Sequence, residues 1–129
     1  TVWYVDGNLT INTPIEFVGR GTFVISGYVT VVGSGKGITY NDVSTSLGVI
    51  VKGGNVTLND VPVRGAWYAP DAYLTFNGNS EVTARGLFAA KQINILNANI
   101  SIKYDSSIAK LPPPGFNSLS LPVLGETTP

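Results

Sequence analysis

The chain has 129 residues, with eight basic and eight acidic side chains and a formal net charge of +0. A neutral chain offers no electrostatic footprint for nucleic acid or an anionic membrane. Cysteine and histidine are both missing, which excludes disulfides, thiolate chemistry, Ser-His-Asp and Cys-His catalysis, and the commonest metal ligand.

The length suits one domain with its own core. No stretch reaches the roughly 18 apolar residues of a membrane span, and no signal peptide is present. The chain begins at Thr1 rather than Met, as expected of a processed product or an excised domain, from which any anchor would have been cut away.

VWYV at 2–5 reads as a short strand, followed by NLTIN at 8–12 and IEFV at 15–18. The order then recurs. GTFVI at 21–25, YVTVV at 28–32 and ITY at 38–40 form a second set, in which ITY is the poorest match. GSGKG at 33–37 and NDVSTS at 41–46 read in part as an inserted surface loop. GSGKG lacks the spacing and the following helix of a phosphate loop. GVIV at 48–51, NVTLND at 55–60 and VPVR at 61–64 make the third set. GAWYA at 65–69, YLTFN at 73–77 and VTAR at 82–85 make the fourth. GLFAA at 86–90, QINIL at 92–96 and ISIK at 100–103 make the fifth, and SSIAK at 106–110 has room for one helical turn at most.

Three short strands per period, separated by Gly, Asn or Asp, predict an all-β fold: a single-stranded parallel β-helix (β-solenoid) of about five coils over 1–110. Coils would stack roughly 4.8 Å apart. A β-sandwich would also give short alternating strands, but it does not require similar phrases to recur in the same order. From Leu111 onward, LPPPGF opens a Pro-rich tail, 111–129, expected to leave the solenoid in extended form.

The second strand explains the recurrence. Leu9/Ile11, Val29/Val31, Val56/Leu58, Leu74/Phe76 and Ile93/Ile95 face inward, while Thr10, Thr30, Thr57, Thr75 and Asn94 face out. In the third strand, Ile15/Phe17, Val61/Val63, Val82/Ala84 and Ile100/Ile102 face in. Asn at strand ends could form amide ladders. The first strand is apolar on both faces, with Trp3, Phe23, Ile50, Trp67 and Phe88 expected in one column. Such a strand is covered on both sides. Phe116, Leu119, Leu121, Val123 and Leu124 of the tail are apolar enough to supply the outer cover.

Residues 68–116 resemble the C-terminal β-solenoid domains of minor pilins in bacterial type IV pilus systems. The resemblance rests on Tyr68-Ala69-Pro70, on Gly86 to Lys91 (GLFAAK), on Tyr104-Asp105 and on Leu111 to Gly115 (LPPPG). It implies a right-handed solenoid, export, and a place on or near a pilus at the cell surface. It transfers no catalytic residue. Cellulose-binding adhesins are a more distant likeness, by architecture alone.

Dispersed Asp6, Asp42, Asp60, Asp71, Glu81 and Asp105 match no metal-ligand spacing. No catalytic residue, cofactor or metal site is expected. Trp3, Tyr4, Trp67 and Tyr68 are the binding candidates, because aromatic rings on a flat sheet stack on sugars or anchor a protein. The other reading of these rings is that they fill the shaft or lie beneath the tail. Arg64, Arg85 and Lys103 close the third strand in successive coils, where stacked like charges form either a solvated edge or a receiver for an anionic partner. The expected function is a non-enzymatic extracellular structural or adhesion module of a pilus-associated surface protein, with protein partners in that assembly. The alternatives are a carbohydrate-binding adhesin that uses the Trp67/Tyr68 face on a polysaccharide, and a self-polymerising rod.

Overall fold

Alternating apolar residues, β-branched partners and turn residues at short intervals make this chain a stack of parallel strands. The computed structural model describes residues 1–33, 37–40 and 44–116. Parts of the two expected loop insertions, at 34–36 and 41–43, and the tail residues Leu119, Leu121, Val123 and Leu124 lie outside the described residues.

The elements are β1 (Val2–Val5), β2 (Leu9–Ile11), β3 (Ile15–Glu16), β4 (Arg20–Ile25), β5 (Val29–Val32), β6 (Ile38–Thr39), β7 (Ser46–Val51), β8 (Val56–Asn59), β9 (Val63–Asn77), β10 (Thr83–Ile95), β11 (Ser101–Tyr104) and α1 (Ser106–Lys110). Each described strand pairing is parallel. Three ladders run along the stack. One joins β1, β4, β7, β9 and β10; the second joins β2, β5, β8, β9 and β10; the third joins β3, β6, β9, β10 and β11. The fold is therefore a β-solenoid of about five coils with almost no helix.

The second ladder has the expected register. Leu9, Val29, Val56, Leu74 and Ile93 form one column, and Ile11, Val31, Leu58, Phe76 and Ile95 form the next inward one. Val29, Val31, Leu58, Leu74 and Phe76 are buried, but Ile95 is 56% exposed because no further strand of that ladder follows it.

The first ladder departs from the expected columns at β7. The Trp3 column continues through Phe23, Val49, Trp67 and Phe88, not through Ile50. Inward parity decides this. Leu47, Val49 and Val51 are all buried, and a one-residue slip would turn all three outward. Leu47 thus occupies the position that Gly21, Gly65 and Gly86 take in other coils. At Gly86 the glycine is required: φ is 150°, and a Cβ there would run into the Gly65 carbonyl of the coil before. In the third ladder Ile15 pairs with Ile38, above Val63, Ala84 and Ile102, so Ile15 aligns with Val63 instead of Val61.

A further departure concerns the turns. β9 and β10 run through two bends without leaving the sheet, apart from a bulge between Ala90 and Gln92. β9 and β10 keep bonding to each other through the bends, so the three expected short strands fuse there, whereas β6, β7 and β8 on the other side of β9 stay separate.

α1 and the residues after it turn back along the outside of the first ladder. Asp105 caps α1 by accepting from the Ser107 N–H. Arg20 donates to the Pro112 carbonyl, and Thr22 Oγ1 donates to Pro114 O at 2.6 Å. Ile108 and Phe116 pack with Ala66, beside Ile50, Tyr68 and Leu87. α1, the one helical turn that SSIAK has room for, and the described part of the tail, 111–116, together form a strap over part of the outer apolar face.

Candidate functional site

Alternation along the first ladder separates the four aromatic candidates into two pairs. Trp3 and Trp67 point into the shaft; Tyr4 and Tyr68 point out. Trp67 is 1% exposed and belongs to the main core. It offers no ring to a sugar, which corrects the expected Trp67/Tyr68 binding face. Trp3 occupies the same column but is 40% exposed, because β1 has a neighbour on one side only. Its ring stacks on Phe23 at 4.9 Å and meets Phe17 edge-on at 6.0 Å. Further into the shaft lies an apolar cavity of about 130 Å³, bounded by Phe17, Phe23, Leu47, Val49 and Trp67 among others.

Outside, Tyr4, Val24, Ile50, Tyr68 and Ala89 form one column. Tyr4 is 79% exposed, at a shallow depression of about 220 Å³ shared with Asp6, Val24, Ser26 and Lys52. The parallel column of Thr22, Gly48, Ala66 and Leu87 lies beneath the strap.

The basic column is real, but its members differ. Arg64 stacks on Arg85, and Arg85 on Lys103. Arg64 does not face solvent as an open edge. Its Nε bonds Asp105 Oδ2 at 2.6 Å, Nη1 bonds Tyr40 O at 2.6 Å, Nη2 bonds Ser107 Oγ at 3.1 Å, and the guanidinium lies 4.5 Å from the Tyr40 ring centroid. Asp105 neutralises it locally, so it cannot receive an external anion. Arg85 and Lys103 remain exposed. Burial pushes the Asp105 carboxyl up, but the hydrogen bonds from Arg64 and Ser107 together outweigh burial and hold it below its ordinary value. Burial likewise pushes the Tyr40 hydroxyl up. Sequence reasoning missed this cluster. Its members come from three separate coils, and only the fold-back after Tyr104 brings them together.

Asparagine and aspartate at the corners cap the following coil. Asn8 Oδ1 accepts from the Tyr28 N–H at 2.9 Å, and Asn55 Oδ1 accepts from the Tyr73 N–H at 3.0 Å. Asp60 Oδ1 accepts from the N–H groups of Asn79 and Ser80 at 2.7 and 2.9 Å. These corner Asn side chains therefore bond backbone, and no amide ladder forms among them. Among the described residues no cluster of three acidic side chains could hold a metal ion, and no helix is long and apolar enough to cross a membrane.

A family described as a domain of unknown function, DUF7305, matches residues 1–111. No curated protein and no solved structure matches the chain.

Proposed function

We propose that the chain, which belongs to the DUF7305 family, is a non-enzymatic structural module of a bacterial cell-surface, pilus-associated assembly. It works as a stiff spacer about 24 Å long that meets other proteins at its ends. The observation that carries this reading is where apolar surface stays uncovered. Most of the exposed large apolar side chains lie in the end coils, with Val2, Trp3, Tyr4, Ile15 and Val18 in the first and Ile95, Leu96 and Tyr104 in the last, against Tyr28, Val32 and Tyr73 in the coils between; the strap covers part of the side. The likeness of residues 68–116 to minor-pilin solenoids supports the location.

The test is shear fractionation of source cells that carry a tagged chromosomal copy. The chain should appear with sheared surface appendages, and its deletion should reduce their number or adhesion. Retention inside the cell with unaltered appendages would remove the reading. Turnover of a uronate polymer with Ca²⁺ would remove its non-enzymatic part.

A polysaccharide ligand is the second reading, favoured by Tyr4, exposed beside Asp6, Ser26 and Lys52, with Tyr68 in the same outward column but partly covered by the strap. It uses outward tyrosines and no tryptophan. Tyr4→Ala should then lower retention on insoluble polysaccharide while leaving the melting temperature unchanged.

A further inference from the structure

We propose that the two open ends are halves of one interface, and that the last coil of one copy stacks on the first coil of the next, so that the ladders continue from molecule to molecule. This rests on the spacer reading and names its partner as a second copy of the chain.

Four observations point the same way. First, the ends have matching strands. β1 and β2 have a free edge on one side, as does β10 from Leu87 to Ile95 on the other. Added in register, Trp3 of one copy would follow Phe88 of the other, Leu9 would follow Ile93, and Ile11 would follow Ile95. Each meeting is apolar on apolar, as within the stack.

Second, the ends are opposite in charge along shared columns. Glu16 pairs with Thr39, which precedes Arg64, Arg85 and Lys103 in the third ladder. That column starts with an acid and ends with a base. At the corner after the first ladder, Asp6 directly follows Val5 in the first coil, and Lys91 directly follows Ala90 in the last. Stacking sets Lys103 over Glu16 and Lys91 over Asp6. Asp6, Glu16, Lys91 and Lys103 are all exposed, and Arg64–Asp105 is the one ion pair among the described residues.

Third, as far as Phe116 the strap leaves both ends open. After Tyr104 the described residues run back along the side, reaching Arg64 through Asp105 and Thr22 through Pro114, and do not cross the end of the shaft. Fourth, the 130 Å³ apolar cavity lies behind the first coil. The last coil of the preceding copy would cover its outer wall at Leu9, Ile15 and Phe17.

An interface between two different ends propagates instead of closing on itself. Sedimentation velocity of the full chain over a wide concentration range therefore reads the proposal. The mean mass should rise without stopping at two copies. Glu16→Lys alone and Lys103→Glu alone each place like charges at the junction and should weaken association about tenfold. The double variant exchanges the signs and should recover it. Circular dichroism of each variant should be unchanged, since both side chains are exposed.

A monomer at every concentration, a closed dimer, or single variants that associate like the wild type would each overturn the proposal. So would a double variant no better than the singles. None of these outcomes bears on whether the chain is found in the sheared surface fraction, so failure here and failure of the spacer reading are separately visible.

Discussion

Asp60 holds a left-handed backbone, φ 54°, the one non-glycine residue to do so among the described residues. Asp tolerates that conformation better than most residues because its side chain bonds locally; here it accepts from two N–H groups of the next coil. Those two bonds, Ser80 first and then Asn79, hold its carboxyl below the usual value. Asp60→Ala should lower the melting temperature more than Asp60→Asn, which keeps an acceptor. Trp67 is the heavier test of the core. Its removal leaves a void beside the existing cavity, so Trp67→Ala should cost about 3–5 kcal/mol in urea unfolding. A folded, stable Trp67→Ala would contradict its place in the shaft. Asp105 makes stability depend on pH. A carboxyl held below its ordinary value stabilises the fold above the normal carboxylate range, and that contribution is lost as pH falls through the folded value. Asp105→Asn should therefore melt earlier than wild type near neutrality, and the two melting curves should converge in acid. Asp60 titrates in both proteins and cancels in the comparison.

Strands differ in how much of their backbone is paired. β9 has neighbours on both edges over most of its length, whereas β1, β2 and β3 have one each, and β2 and β3 also lie against the shaft cavity. In a stack where each coil touches only its neighbours, opening starts at the weakest end. Amide exchange should be fastest in β1–β3 and slowest in β9; uniform protection would show that the coils open together. The same elements show what the sequence could reveal. Alternation in LTI, VTV, VTL, LTF and INI gave the second ladder residue by residue, because each coil meets the same surroundings there. The first ladder departs from the expected columns at β7 because glycine opens this strand in other coils, whereas here Leu47 takes that place and Gly48 comes one residue later. Parity of burial was the better guide. It also sorts Trp67 from Tyr68, which adjacency in sequence had joined into one face. The Arg64–Asp105 contact was not legible, since no repeat predicts where a chain turns after its last coil.

At the scale of the whole molecule, two cores coexist. The large one fills the shaft, and the small one, Ala66 with Ile108 and Phe116, lies between the strap and the outer sheet. The ladders do not pass through the strap, so the solenoid and its cover are separable in principle. Gly48 shows how closely they fit. It lies in the outward column, and a Cβ there would come 2.6 Å from the Phe116 ring and 3.0 Å from Pro113. Gly48→Val should therefore lift the strap while leaving the inward side chains Leu47 and Val49 in place. Once lifted, the strap uncovers Ala66, Leu87 and Ile50, an apolar strip on a surface otherwise well solvated. The expected result is an unchanged β-type circular dichroism spectrum, stronger binding of an apolar fluorescent dye, and faster proteolysis after Tyr104. A chain ended at Tyr104 should bind the dye equally well, because it lacks the same cover. If Gly48→Val bound no more dye than wild type, the strap would be resting on the sheet without sealing it. If it lost its β spectrum, the two cores would be one cooperative unit, and the outer cover would have to count as part of the solenoid's own stability.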